Sequence, residues 1–378
     1  MKAFNTTGVC RPEVHYMVNT DATLLEIKTM IDDNEYITIN RPRQFGKSTT
    51  LTLLERLLEP QYAYIMLSLE DLVASEFTEE GFCFAVSQML AENDWQDSSG
   101  ISEEAKRVFI STYDELKKGF PLRALTTALQ KMSQVNQKRI VLAIDEIDNV
   151  WDCDAFYGFL SFLRRDYRRV PNNAFQSVIL AGVSDISHLQ NRIRRVDQSG
   201  ERRIPWNIAV SFAQNMGLTN AGILEMLNEY KTDHGLKFDA VKISGLLSEY
   251  TSGYPFFVSK LCSIIHSKLP GTEEFVDLEA AWTQEGFLAA LHILKTDDAL
   301  PLFQSLLRQI EGSKELKDLL KKILYGDETV RYYAGSPAEE AKIYGFVKTA
   351  DDGITLRISN RIYETWLYTN LRAYPQIP

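Results

Sequence analysis

Apolar positions along the chain recur at two spacings, and element boundaries are expected where one gives way to the other. Residues 24–31 carry them at helical spacing. Tyr36-Ile-Thr-Ile-Asn40 is a short β-branched run and predicts a strand. Residues 41–46 follow neither period and predict a loop. Residues 47–58 return to helical spacing at Leu51, Leu54, Leu57 and Leu58. A second strand is predicted over 64–69, then a mostly helical stretch to about Gln137. Residues 139–144 are a continuous apolar run ending in Asp145-Glu146, as expected of a strand buried on both faces of a parallel sheet. An amphipathic helix over 156–169 and a fourth strand over 178–182 come next. A fifth strand fits 203–210, with Pro205 placing it at an edge or delaying its start. Strands alternating with helices predict a parallel α/β sheet.

From Ser211 onward the pattern is helical. Thr219 is placed to cap a helix over 221–230. Helices over 238–250 and 255–268 follow, separated by Thr251-Ser-Gly-Tyr-Pro255. Pro270-Gly271 marks a turn, and a third region begins near Ala280. It contains helices over 302–310, 316–324 and 338–344. A β-hairpin follows from Gly345-Phe-Val-Lys348 and Ile354-Thr-Leu-Arg-Ile358 about an Asp-Gly turn, then a last helix over 361–371. Helices followed by such a wing predict a winged-helix domain. The expected organisation is a nucleotide-binding core over 1–210, a helical lid over 211–279 and a winged helix over 280–378.

The length, 378 residues, suits two or three domains. The net charge of −10 argues against a basic global field of the kind that drives non-specific nucleic-acid binding. Cys10, Cys83, Cys153 and Cys262 form no CxxC pair, which suits free thiols in a reducing compartment. The five histidines show no metal spacing. No long apolar run offers a membrane span, and the opening residues do not read as a signal peptide. The expected location is the cytoplasm.

The chemistry concentrates at Arg41-Pro-Arg-Gln-Phe-Gly-Lys-Ser-Thr49, between a strand and a helix. Backbone N–H groups of such a loop, with the helix N-terminus, form a concave anion site. Arg43, Gln44, Phe45, Gly46, Lys47, Ser48 and Thr49 are therefore the candidate phosphate-binding residues. Gly46 lets the backbone approach closely, Lys47 would reach the β- and γ-phosphate oxygens, and the Ser48 hydroxyl would ligate Mg²⁺. The G-x-x-x-x-G-K-[ST] pattern is broken at its first position, where Arg41 stands for glycine. Asp145 and Glu146 end a strand as a Walker B pair does. Asp145 would serve the metal and Ser48, and Glu146 would orient and polarise the attacking water. Asp148 reads as structural or capping.

Three further positions have competing readings. Ser184 follows the strand expected between the phosphate-loop and acidic strands. It reads as a γ-phosphate sensor, or as the N-cap of the next helix. Arg194 and Arg195 read as arginine-finger candidates, which in trans would require a homo-oligomer, or as a solvated or partner-binding face. Lys260, on the helix after Tyr254-Pro255, reads as a γ-phosphate sensor or as a surface ion-pair partner.

RPRQFGKST and LAIDEID, with FNTTGVCRPEVHYMV, TSGYPFFVSKLC and YGFVKT…ISNRIYE, resemble the bacterial and archaeal predicted AAA-ATPase-like family of the AAA+/STAND division. The resemblance covers nearly the whole chain. It implies an ATPase core, a lid and a winged helix, ATP in preference to GTP, and Tyr16, Met17 and Val18 as apolar contacts to adenine. Relatives often carry a C-terminal PD-(D/E)XK nuclease-like domain, and no matching acidic constellation is read here. They commonly show Arg where Lys260 stands, and several related groups share the RPR opening. The leading expectation is an ATP- and Mg²⁺-dependent switch that hydrolyses ATP to ADP and phosphate. ATP would lie between core and lid, and the winged helix would relay the change to a protein partner or nucleic acid. Two alternatives stand beside it: a non-hydrolysing nucleotide-binding scaffold, and a DNA-binding regulator acting through the winged helix. The charge from residue 338 onward is balanced, unlike that of a groove-reading helix.

Overall fold

The computed structural model describes residues 1–92, 100–116, 122–150, 153–183, 208–212, 216–296, 301–326, 329–333, 336–350 and 352–371. The chain divides into two compact units. One, the helical unit, comprises Met1–Asn19, Pro42–Gly46 and Asn215–Pro378; the other, the sheet unit, comprises Thr20–Arg41 and Lys47–Gln214. The first residues and Pro42–Gly46 group with the C-terminal half.

Two short parallel strands, β1 (Ala3–Phe4) and β2 (His15–Tyr16), open the helical unit. The sheet unit holds β3 (Tyr36–Asn40), β4 (Ala63–Ser68), β5 (Ile140–Asp145), β6 (Phe175–Gly182) and β7 (Ala209–Ser211). All pair in parallel in the order β4-β5-β6-β3-β7. As expected from the sequence, β6 lies between the loop-bearing and acid-bearing strands. The fifth strand sits at the edge and starts late, at Ala209. Every residue of β5 and β6 is buried, the pattern of strands covered on both faces. Helices α1 (Asp21–Asp32), α2 (Lys47–Leu58), α3 (Glu79–Glu92), α4 (Glu103–Leu116), α5 (Leu122–Val135) and α6 (Asp154–Tyr167) flank the sheet.

A buried carboxylate fixes the start of β6. Asp166, near the end of α6, accepts from the N–H groups of Ala174 (2.9 Å) and Phe175 (3.3 Å) and from the Tyr36 hydroxyl (3.4 Å). Burial raises its pKa despite these donors. The register then aligns the carboxyl ends of the strands, with Asn40 opposite Gly182 and Ser68 opposite Asp145. In open α/β sheets that edge is where ligands bind.

The helical unit has one continuous apolar core running from Phe4, Tyr16 and Val18 to Leu371. Its helices are Asn220–Asp233, Ala240–Thr251, Pro255–Ser267, Leu278–Ala281, Gln284–Thr296, Pro301–Gly312, Lys314–Tyr325, Pro337–Ile343 and Arg361–Leu371. Thr219 caps the first of these, accepting from Gly222 N–H at 3.1 Å. The helix Leu278–Ala281 runs across the boundary expected at 279, inside that shared core. The hairpin forms from antiparallel β8 (Val347–Thr349) and β9 (Leu356–Ile358). Asp352 organises its turn, accepting from Ile354 N–H, Thr355 N–H and the Thr355 hydroxyl; these bonds lower its pKa to about 2.

Aromatic residues dominate this core near the N-terminal strands. Trp282 Nε1–H donates to Tyr230 Oη at 3.0 Å, and that hydroxyl meets His266 Nδ1 at 2.8 Å. Burial, and then the nearby His234, lower the His266 pKa. The folded state therefore binds fewer protons here than the unfolded state. Stability held at neutral pH should fall as pH drops below the ordinary histidine value of about 6.5. Thermal melts at pH 7.5 and 5.5 test this: the wild type should lose more stability between them than His266→Gln, and an equal loss would contradict the assignment.

Candidate nucleotide-binding site

The site begins where β3 ends. An apolar strand stops at Asn40, and α2 starts at Lys47, with Gly46 in the left-handed region at φ +86°. A side chain there would be strained, so this position requires glycine. Gln44 also adopts positive φ, +59°, without being glycine. That costs on the order of 1–2 kcal/mol and is the kind of strain that collects at ligand loops.

Arg41 does not spoil the loop. Its backbone lies outside the positive-φ region, so a side chain there carries no conformational cost. Its guanidinium donates to the carbonyls of Asn40 (2.7 Å) and Phe212 (3.0 Å), closing the end of the sheet beside β7. Burial lowers its pKa. Its carbonyl accepts from Lys47 Nζ at 3.1 Å, so the lysine folds back over the loop's origin. Lys47 is buried, its relative exposure only 4%.

The decisive contact joins α2 to β5. Ser48 Oγ donates to Asp145 Oδ2 at 2.5 Å. The other carboxylate oxygen, Oδ1, accepts from the Glu146 N–H at 2.9 Å. Asp145 is thereby held by both oxygens. Glu146 is half-buried and left-handed at φ +55°. A non-glycine residue is kept there only where its surroundings over-determine it.

Asp148 has the capping role expected of it. Its Oδ2 accepts from Val183 N–H at the end of β6. Gly182 makes room, because a Cβ there would lie 2.7 Å from Ile147 Cγ1 and 2.8 Å from Asp148 Oδ2. Ser184, Arg194 and Arg195 lie outside the described residues.

In the helical unit, Arg43 and Gln44 are exposed, and Phe45 packs its ring edge-on to Tyr254 at 4.9 Å. Tyr16 is buried and donates its hydroxyl to Asp233 at 3.0 Å, within a cluster of Phe4, Tyr230 and His234. Val18 is buried beside Gly222, where a Cβ would meet Val18 Cγ1 at 2.3 Å; Met17 is half-buried. Lys260 is half-buried on the helix Pro255–Ser267.

Two residues of interest escaped the sequence reading. Asn40 has both amide atoms buried without a partner among the described residues. Its signal was a polar residue ending an apolar strand directly before the loop. The second is Tyr254, whose hydroxyl donates to the Arg43 carbonyl. No local pattern announces that contact.

Residues 15–190 match the family model described as a predicted AAA-ATPase, AAA-ATPase-like. No curated protein sequence matches the chain. Among solved structures, a Walker-type ATPase of Pyrococcus abyssi is 16% identical, with a TM-score of 0.60, over 97% of this chain and 99% of that one. The ORC2 protein of Aeropyrum pernix, in ADPNP–ADP complexes, is 10% identical with a TM-score of 0.48, over 97% and 96%. A Thermotoga maritima RuvB is 13% identical with a TM-score of 0.46, over 92% and 94%. The first of these shares the fold, an α/β parallel sheet flanked by helices.

Proposed function

Because residues 15–190 match the model of the predicted AAA-ATPase family, we propose that this chain is an ATP-hydrolysing molecular switch of the STAND type. The observation that carries the reading is the Ser48–Asp145 hydrogen bond. It brings the hydroxyl in the first turn of α2 against the acid that ends β5, the pairing such chemistry needs. A hydroxyl and a carboxylate oxygen converging in this way also form a donor set that suits a hard cation. Ser48 and Asp145 would hold Mg²⁺, which supplies charge neutralisation at the phosphate oxygens.

The chain's own groups do the rest. Gly46 and the first turn of α2 present N–H groups to the phosphates. Lys47 leaves the Arg41 carbonyl and donates to β- and γ-phosphate oxygens. Glu146 orients a water whose oxygen attacks the γ-phosphorus and takes up its proton as the bond to the β–γ bridging oxygen breaks. ADP and phosphate leave. Ser184 serves as γ-phosphate sensor, Arg194 or Arg195 as the finger from a second copy, and Lys260 as the sensor of the C-terminal half. Tyr16, Met17 and Val18 serve as apolar contacts to adenine.

In this reading residues 211–279 act as the lid and 280–378 as a winged helix that passes the nucleotide state to a protein partner. The helices followed by the β8–β9 hairpin support it. Cytoplasmic residence is part of the proposal, supported by the free thiols of Cys83, Cys153 and Cys262. Among the described residues, no helix is long and apolar enough to cross a membrane.

Asp145→Asn tests the core of the proposal. Mg²⁺-dependent phosphate release should fall on the order of 100-fold, the size of a lost contact worth several kcal/mol. Native mass measured in ATP and in ADP tests assembly. Turnover that ignores both Mg²⁺ and this substitution would defeat the reading.

A further inference from the structure

The phosphate loop is gripped from outside by a tyrosine. The geometry points to Tyr254 as a positioning residue for nucleotide binding, its hydroxyl holding the Arg43 peptide so that the loop is set for phosphate before nucleotide arrives. This inference rests on the nucleotide-binding reading and adds to it the residue that sets the loop.

Four observations carry it. Tyr254 is the N-cap of the helix Pro255–Ser267, and its hydroxyl donates to the Arg43 carbonyl. The side chain is almost wholly buried, 3% exposed, with its ring edge-on to Phe45 and packed on Phe257 and Tyr363. It cannot be mistaken for a loose surface contact. Burial raises its pKa to about 12, so the hydroxyl keeps its proton and remains a donor at neutral pH.

Peptide geometry supplies the mechanism. In a trans peptide the C=O and the following N–H point opposite ways. Fixing the Arg43 carbonyl on Tyr254 turns the Gln44 N–H away from it. The N–H groups of Gln44 and Phe45 have no hydrogen-bond partner among the described residues. They are donors held open, in a loop where Gln44 is already kept at positive φ. Pro42 is held as well, by a second element: a Cβ at Gly345 would lie 3.0 Å from Pro42 Cβ, so the turn before β8 lies tight against the loop's start. The loop residues are thus fixed at two points by the segments bearing Tyr254 and Gly345.

The role predicts a division of effects. A loop that must be ordered by the ligand binds it more weakly, while the bound state reacts as before. Tyr254→Phe removes only the hydroxyl and keeps the ring on Phe45, Phe257 and Tyr363. ATP affinity should weaken roughly tenfold, the scale of one hydrogen bond. The kcat at saturating ATP should stay within about twofold and the melting temperature within a few degrees. Without nucleotide, amide hydrogen exchange over residues 42–46 should quicken in the variant. Unchanged affinity with unchanged exchange would overturn the inference and leave the nucleotide-binding reading standing. A fall in kcat with unchanged KM would overturn it too, because it would place the hydroxyl in the chemical step. A wild type that binds no ATP would instead overturn the functional reading, and this inference with it.

Discussion

Lys47→Ala should lose ATP binding and turnover together, whereas Glu146→Gln should keep the first and lose the second. In the proposed mechanism Lys47 supplies charge-assisted bonds to phosphate, each worth about 1.5–3 kcal/mol, so affinity should drop roughly 10- to 100-fold. Turnover, measured as phosphate release, should fall by on the order of 100- to 1,000-fold. Glu146 faces the water rather than the phosphates in the proposed mechanism. Its amide variant should bind ATP within a few-fold of wild type and hydrolyse it roughly 100- to 10,000-fold more slowly. Equilibrium binding and single-turnover hydrolysis on the same preparations separate the two. If Glu146→Gln hydrolyses normally, the chain is better read as a nucleotide-binding scaffold.

The largest stability effect is expected at Gly253, directly before Tyr254. It follows Ser252, itself left-handed at φ +49°, and has φ +74°. Its carbonyl accepts from Leu218 N–H at 2.8 Å, so two backbone segments run in close contact. A Cβ at Gly253 would stand 2.2 Å from the Leu218 carbonyl oxygen. Backbone cannot rotate away as a side chain can. The left-handed penalty and the overlap together should cost at least about 3 kcal/mol in Gly253→Ala. For a unit of this size that lowers the melting temperature by roughly 6–12 °C. Gly245→Ala is the control: nothing lies within 4 Å of its Cβ position, and it sits inside the helix Ala240–Thr251, where alanine is favoured. It should leave the melting temperature unchanged or raise it. Equal melting temperatures for Gly253→Ala and wild type would mean that the 251–255 turn relaxes freely.

The sheet was legible because its strands are local patterns. Residues 140–144 and 178–182 are apolar runs whose burial on both faces is written in their composition. The helix Lys47–Leu58 and the closing helix Arg361–Leu371 matched their expected bounds, since each has strong apolar spacing. The acid–hydroxyl pairing of Asp145 with Ser48 was also foreseen, because the two motifs require it. What the sequence hid was long-range. Arg41 reads locally as a damaged glycine; only its bond to Phe212, 171 positions on, gives it a purpose. The Tyr254–Arg43 contact spans 211 positions. The helix Leu278–Ala281 is a single turn, too short to show a period. The sheet edge strand began later than its apolar residues suggested, at Ala209, after Pro205.

The placement of Phe4, Tyr16 and Val18 in the core of the helical unit bears on how the chain is made. Tyr230, Trp282 and the helices around them follow these residues in the chain by more than 200 positions and are translated much later. At roughly 5–20 residues per second, more than ten seconds pass before Trp282 is even added. During that wait a greasy leading segment has nothing of its own to pack on. The sheet unit can ripen meanwhile, but the core of the helical unit closes only when residues 4–18 are brought back to it. Changes at Phe4, Tyr16 or Val18 should therefore surface as folding defects in helices made much later.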